Sequence, residues 1–225
     1  MVEVVWLGHA CFMLKGKNKS LIFDPFKGTG LPEPAVKSDI VLCSHSHSDH
    51  NNADAVKHEN SVILEKYIGS RTIDDISIKG VATYHDESQG SKRGENSVYV
   101  VTLDDLVFCH LGDLGHELSK SQVSEIGKVD VLFIPVGGFF TINPKQARAV
   151  MNSISPRITI PMHYKTFGMD LLFKFLKEVD DFVRASDNTK RLDGPDFAVS
   201  KDDLPEKPLI IIPRLANQKK DFAIS

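Results

Sequence analysis

Four side chains that bind metals are concentrated in one six-residue run of this sequence: His45, His47, Asp49 and His50. Imidazole and carboxylate groups together suit zinc and neighbouring first-row metals. In an extended or tightly turned segment alternate side chains share a face, so we expect His45 and His47 to bind one ion together. Asp49 and His50 follow where the chain turns, and we expect them to face a second ion.

One short loop supplies too few ligands for two ions, so distant residues are needed to complete the site. His85, Asp113 and His163 are the candidates, because each follows a predicted strand. A carboxylate such as Asp113 can bridge two cations and reduce their repulsion. This ligand set leaves coordination positions open for water, as in catalytic sites, whereas structural zinc sites are closed and richer in cysteine.

The same pattern recurs along the chain, where several apolar stretches end in a histidine or an aspartate. Open sheets with helices on their faces place ligand sites beyond the ends of their strands, and rigid strands then hold the chemistry of the loops. Six such endings predict one shared edge of the structure. The residues at these endings are His9, Asp24, His45, His85, Asp113 and His163.

The elements that would position these residues follow from periodicity and from Gly and Pro punctuation. Strands are predicted at about 2–7, 11–15, 20–23, 40–43, 77–83, 96–102, 106–109, 131–135, 157–161, 182–185 and 209–212. Helices are predicted near Asn52 and Glu65, after an N-cap at Ser119, from Pro144, and over residues 169–179. A mostly β first half followed by alternating β and α predicts stacked sheets flanked by helices.

The bulk properties predict a single domain over residues 1–225, with a loosely held tail at 217–225. A net charge of −3 favours neither a nucleic-acid surface nor a membrane patch. Cys11, Cys43 and Cys109 lie in apolar stretches and are expected to be buried thiols. The first residues resemble a strand rather than a signal peptide, so a cytoplasmic location is expected. The oligomeric state stays open, a homo-oligomer included.

Taken together, these motifs resemble the metallo-β-lactamase superfamily in order and rough spacing. The matching segments are Gly8-His9-Ala10, Phe23-Asp24-Pro25, residues 45–50, His85, Gly112-Asp113 and His163. Residues 135–141, Pro144 and residues 161–164 look like the branch related to ascorbate-6-phosphate lactonase. N-acylphosphatidylethanolamine-hydrolysing phospholipase D is a more distant relative with the same ligand order.

The resemblance implies an α/β (α+β) fold, a four-layer αββα sandwich with a dinuclear metal site at one edge. It implies a first metal held by His45, His47 and His85, a second held by Asp49, His50 and His163, and Asp113 as the bridge. Asp24 would orient a ligand imidazole. Two divalent ions are expected, zinc first, with manganese, iron or nickel as alternatives.

Other residues have two interpretations each. His9 is either near the metals as a support or substrate group or outside the site, and His116 is either a substrate contact or a loop residue. Arg93, with Lys92, either attracts an anion or is solvated charge. Thr141 and the Gly137-Gly138 pair form either an anion site or a tight turn, and Tyr164 either touches substrate or does not. His110 is expected to be a satisfied buried histidine, and most Met and Phe residues of 162–175 are expected in the core.

The predicted function is hydrolysis of a small anionic molecule, such as a lactone or phosphate ester, by metal-activated water. Asp113 would organise the ions, and Asp49, or His116 if it faces the cleft, would relay a proton to the leaving group. The alternatives are a phosphodiesterase or nuclease, a di-metal redox enzyme, and a metal-binding protein without turnover. A redox enzyme on this scaffold typically has an acidic residue in place of His47, and a nuclease would call for a basic track.

Overall fold

The computed structural model describes residues 1–215, so the predicted tail at 217–225 lies outside the described residues. These residues form two β-sheets with helices on their outer faces, which confirms the predicted αββα layering. Within this range no helix has the length and hydropathy to cross a lipid bilayer.

The first sheet has six strands in the order β13-β1-β2-β3-β4-β5. Its first four members pair antiparallel, and β3, β4 and β5 run parallel. The strands are β1 Val2–Gly8, β2 Cys11–Lys15, β3 Ser20–Phe23, β4 Ser38–Cys43, β5 Lys57–Glu65 and β13 Asp196–Val199.

The second sheet has eight strands in the order β12-β14-β11-β10-β9-β8-β7-β6. The neighbouring strands β6, β7, β8 and β9 pair antiparallel. The remaining neighbours, in the sheet order β9-β10-β11-β14-β12, pair parallel. The strands are β6 Gly69–Ile73, β7 Ile76–Tyr84, β8 Glu95–Leu103, β9 Leu106–His110, β10 Val131–Pro135, β11 Ile158–Met162, β12 Thr189–Arg191 and β14 Leu209–Ile212.

The helices begin where the sequence offers capping groups. The N-cap at Ser119 and the helix start at Pro144 are confirmed. Ser119 forms a capping box with Gln122, and Asn143 forms one with Gln146. Both helices pack on the second sheet, and a short helix packs on the first. The helices are α1 Ala53–Val56, α2 Lys120–Ile126, α3 Pro144–Ile154 and α4 Val179–Val183, with a 3₁₀ helix at Leu171–Phe175.

The core lies between the sheets, where Phe12 of β2 meets Phe133 of β10 with ring centroids 4.4 Å apart. Alternate residues of β2 serve the other face, since Cys11 and Met13 join a smaller cluster with Val56 of α1. Strands that are buried on both faces appear in the sequence as continuous apolar runs, so these strands were predicted correctly. The three cysteines are buried as predicted.

Two helix predictions were wrong because distant partners compete for the backbone. The segment after Glu65 forms β6, which pairs with β7 in a hairpin. The predicted helix at 169–179 is broken, because the N–H of Asp170 donates to Thr29 and that of Lys177 donates to Gly137. These bonds replace the helical ladder.

The predicted strand at 182–185 was also wrong, because Phe182 belongs to α4. The Arg148 guanidinium of α3 donates to the carbonyls of Asp181 and Phe182 and holds α4 against α3. Conversely, β5, β12 and β13 were not predicted. The first five residues of β5 and all three of β12 are polar, and β13 has only four residues, too few to show a period.

Candidate metal centre

The strand ends converge as their pattern predicts. Ligand atoms within 4.8 Å of one another fall into three overlapping groups, drawn from the ends of strands in both sheets. The groups are His9, Asp49, His50 and His163; His45, His47 and His85; and His45, His50 and Asp113. Every residue of the predicted ligand set lies in this cluster.

One side of the cluster consists of histidines alone. The ring centroids of His45 and His47 are 4.7 Å apart, and those of His45 and His85 are 4.8 Å apart. His47 is exposed, whereas His45 and His85 are buried. Three imidazoles that converge with one solvent-facing member suit a cation that remains accessible to water.

The other side contains Asp49, His50, His163 and His9. The Asp49 carboxylate lies 3.4 Å from His9 Nε2 and 3.7 Å from His50 Nε2. The rings of His9 and His163 are 4.2 Å apart. His9 therefore lies as close to this group as the predicted ligands do. It directly follows β1 and is fully buried.

Asp113 lies between the two sides. One carboxylate oxygen is 3.1 Å from His85 Nε2 and 3.3 Å from His163 Nε2, and the other is 3.2 Å from His50 Nε2. Asn96 holds Asp113 in place, because its Oδ1 accepts the backbone N–H of Asp113 at 2.9 Å. A single carboxylate thus faces both histidine groups.

The cluster is rich in polar atoms that have no partner. Among the described residues, every buried side-chain nitrogen or oxygen without a hydrogen bond lies in this cluster, apart from Thr189 Oγ1. Each such atom costs about 1–3 kcal/mol if it stays unsatisfied, so native proteins seldom tolerate several together. The donor set therefore fits bound cations. The orphaned atoms belong to His9, His45, His50, His85, Asp113 and His163.

Electrostatics prepare these side chains to bind cations. Burial and neighbouring histidines lower the pKa of His45 to about 3 and that of His9 to about 4, so both imidazoles are neutral and present lone pairs. Burial opposes ionisation of Asp113, yet the nearby His163, His50 and His85 hold its pKa well below the usual range.

His50 differs, because carboxylates surround it. Burial alone would lower its pKa, but Asp113, Asp49 and Asp24 raise it well above the usual range. A cation that binds His50 therefore displaces a proton.

Asp24 orients two of the histidines from behind. It is fully buried, and its carboxylate accepts the backbone N–H and the hydroxyl of Ser44, each at 2.7 Å, and His50 Nδ1–H at 2.8 Å. The Ser44 hydroxyl in turn accepts His45 Nδ1–H at 2.9 Å. Both imidazoles are thereby held with Nε2 directed at the cluster, which is the role expected of Asp24.

The Asp24→Asn variant is expected to bind metal about 10–100-fold more weakly, because an amide cannot accept all three hydrogen bonds. Loss of a buried, charge-assisted bond should also lower the free energy of unfolding by about 2 kcal/mol. Chelator competition and denaturant unfolding measure the two effects. Unchanged metal affinity would show that Asp24 has only a structural role.

Ser44 and Asn96 were missed by the sequence analysis. Asn96 donates to Thr83 Oγ1 at 2.7 Å and to the Leu111 carbonyl at 3.0 Å while it accepts from Asp113. Ser44 carried a weak signal, since it directly precedes His45. Asn96 carried none, because its partners are distant in sequence.

Two further histidines are satisfied by the backbone. His110 is buried, donates Nε2–H to the Ala10 carbonyl at 2.8 Å and accepts the Gly112 N–H at 3.1 Å, as expected of a core histidine. His116 Nδ1 donates to the Glu117 carbonyl and Nε2 accepts from Tyr84. Both nitrogens of His116 are engaged, which favours the loop role over a substrate contact.

The remaining tentative residues differ in placement. Tyr164 is buried against Trp6, with ring centroids 5.6 Å apart, so it packs in the core. Gly137 lies so close to the His163 carbonyl that a Cβ would stand 2.1 Å from that oxygen, which supports the tight-turn interpretation. Thr141 is half-buried in the loop before α3, and its hydroxyl lies 3.4 Å from the Ile142 carbonyl.

Arg93 belongs to a loop that one carboxylate organises. Asp86 accepts four backbone N–H groups, from Ser88, Gly90, Lys92 and Arg93, at 2.7–3.1 Å. Desolvation opposes ionisation of Asp86, but these donors outweigh it and lower its pKa. Arg93 is half-buried and Lys92 is exposed. The loop is therefore an ordered platform for Arg93.

Comparison with known proteins assigns this fold and site to a class. The family model described as "Beta-lactamase superfamily domain" matches residues 3–163. A crystal structure of a metallo-beta-lactamase superfamily protein from Thermotoga maritima has a TM-score of 0.79 and 36% identity, and the alignment covers 96% of this chain and all of that one. The chain is a member of the metallo-β-lactamase superfamily, as the motifs predicted.

Two relatives narrow the assignment. A UPF0173 metal-dependent hydrolase of Thermococcus kodakarensis is 32% identical over 195 residues, which are 74% of this chain and 86% of that protein. Another, from Archaeoglobus fulgidus, is 31% identical over 215 residues, 82% and 90% of the two chains. The chain belongs to the UPF0173 metal-dependent hydrolase family, and it is an enzyme of that hydrolase class.

Proposed function

We propose that this hydrolase uses two divalent cations to cleave a small anionic ester, such as a lactone or a phosphate ester. The observation that carries the proposal is the position of Asp113, with carboxylate oxygens 3.1–3.3 Å from histidines of two separate groups. Histidines from both groups direct Nε2 atoms at this one carboxylate, which favours two cations over one.

The residues divide between the ions as the superfamily resemblance implies. His45, His47 and His85 would hold the first cation, and Asp49, His50 and His163 the second, with Asp113 shared. Bound divalent cations lower the pKa of water to about 7 and polarise C=O or P–O groups. Zinc is the expected metal, since imidazole-rich sites suit it and the name of the Thermotoga maritima protein ascribes Zn dependence to that relative.

Asp49 is the group best placed to move a proton. It is about a quarter exposed, and His50 and His9 lower its pKa despite burial, so it is an anion at neutral pH. In hydrolysis the oxygen of water bonds to the carbonyl carbon or phosphorus, and the bond to the leaving oxygen breaks. Asp49 would accept one proton of that water and deliver it to the leaving oxygen.

The anionic preference is supported by Arg93, whose loop is joined to the cluster where the His85 N–H donates to the Gly94 carbonyl at 3.0 Å. Arg93 is held on its loop by backbone hydrogen bonds to Asp86, and a guanidinium pairs well with carboxylate or phosphate. The net charge of −3 gives no general attraction for nucleic acid, so a small molecule is the proposed partner.

A screen of the metal-reconstituted protein tests the proposal. We expect turnover on at least one class among lactones, phosphodiesters and phosphomonoesters, with two metal equivalents bound. His47→Ala is the blank, since it removes a ligand of the first cation and should be inactive. Equal turnover by this variant would reject the assigned machinery. A coloured diiron protein without hydrolytic activity would support the redox alternative.

A further inference from the structure

The residues after His163 are far more exposed than expected. Most Met and Phe residues of 162–175 were predicted in the core, but Phe175 is 56% exposed. The neighbouring Leu171 and Leu172 are exposed as well. Phe139, from the loop after β10, is 59% exposed and stacks on Phe175 with ring centroids 5.1 Å apart. Exposed apolar patches of this kind usually mark binding surfaces.

These rings continue inward to the metal centre. Phe139 contacts Phe140 at 4.6 Å between centroids, and Phe140 lies 6.4 Å from Phe173. Phe173 is buried and meets the ring of His9 edge-on at 5.3 Å. We call these four phenylalanines, Phe139, Phe140, Phe173 and Phe175, the aromatic wall. It extends without interruption from solvent to a histidine of the candidate site.

The wall is held rigidly. The Lys177 N–H donates to the Gly137 carbonyl at 2.7 Å, which ties the 3₁₀ helix to the loop that carries Phe139. Phe139 has a φ of 60°, a left-handed conformation that bulky residues seldom adopt. Such strain is found mainly at functional sites, where the surrounding structure holds it. The backbone that presents the exposed ring is therefore tied to the neighbouring segment.

Two positive charges lie on the wall: Lys174 Nζ is 4.9 Å from the centroid of the exposed Phe175 ring, and Arg93 contacts Phe140. The Arg93 guanidinium carbon is 4.8 Å from the Phe140 ring centroid, and its Nη2 donates to the Phe139 carbonyl at 3.5 Å. A guanidinium in this position keeps further N–H donors for a carboxylate, sulfonate or phosphate. Apolar surface and cationic donor thus adjoin each other beside the metal centre.

We propose that the aromatic wall binds the apolar group of the substrate while Arg93 binds a negative charge on the same molecule. This inference rests on the proposed hydrolytic function and refines it. The favoured substrates are amphiphilic: monoanionic esters or lactones with an acyl or aryl group, rather than compact sugar phosphates. The chain of rings from His9 outward sets the apolar group next to the scissile bond.

Direct binding tests the wall without turnover. Anilinonaphthalenesulfonate is an aromatic monoanion, and the metal-loaded protein should bind it at one saturable site. The Phe139→Ala/Phe175→Ala double variant should weaken this binding at least about tenfold, the cost of losing two large apolar contacts. Arg93→Gln should weaken it as well. Phe167→Ala is the matched control, since Phe167 is 75% exposed and lies outside the wall, and it should bind normally.

Turnover gives an independent measure. In a series of ester substrates with the same leaving group and the same charge, each added methylene of the acyl chain should raise kcat/KM by up to about fourfold. In the double variant, kcat/KM should depend less on acyl-chain length. Unchanged probe binding in the double variant would overturn the inference. So would sedimentation of the wild type as a dimer and of the double variant as a monomer, because the exposed rings would then form a subunit interface. Normal probe results with no hydrolysis of any ester would overturn the hydrolase proposal alone.

Discussion

The Asp113→Asn variant is expected to lose at least one metal equivalent and at least about four orders of magnitude in kcat/KM. Its carboxylate faces histidines of both groups, so an amide weakens both cations at once. Metal binding lowers the pKa of water from about 15.7 to about 7, so losing an ion removes most of the nucleophile at neutral pH. Metal analysis by mass spectrometry and steady-state kinetics measure both effects.

Asp130→Asn is the matched control for this experiment. Asp130 is an equally buried aspartate of the second sheet, but it accepts from the Val107 N–H and pairs with Lys201, away from the cluster. Its loss should lower stability and leave metal content intact. If Asp113→Asn kept two metals and more than a tenth of the activity, a shared position for Asp113 would be excluded.

Asp49→Ala is expected to be nearly inactive, with a loss of about 10²–10⁴-fold beyond any effect of metal content. Its close ionic partners within residues 1–215 are His9 and His50, and the carboxylate is about a quarter exposed. The fold should therefore survive the change. Circular dichroism and thermal unfolding of the metal-free protein should match those of the wild type.

Asp49→Asn separates the two roles of this residue. The amide keeps an oxygen for a cation but cannot take up a proton, so metal content should be largely retained while kcat falls. Asp54→Ala is the control, because Asp54 lies five residues further on and is highly exposed. A near-normal rate for Asp49→Asn on a verified substrate would exclude proton relay through Asp49.

Local pattern predicted much of this fold. The strands that are buried on both faces, such as β2 and β3, appear in the sequence as short apolar runs, and the caps at Ser119 and Asn143 start helices through neighbours three residues away. Apart from β5 and the segment after Glu65, the errors lie after Met162. There Leu171 and Phe182 have apolar types, but hydrogen bonds to distant residues decide the local conformation. Hydrophobicity alone does not predict which hydrogen-bonding partner a segment takes in the folded protein.

The sequence by itself determined the chemistry, because the run at residues 45–50 places three imidazoles and a carboxylate close together along the chain, where one tight turn brings them to a common site. Only the tertiary structure decided that Asp113 stands between two histidine groups, that Ser44 and Asn96 support them, and that Phe139 and Phe175 face solvent. These relations join strands separated by dozens of residues. They depend on how two sheets pack, which no local pattern encodes.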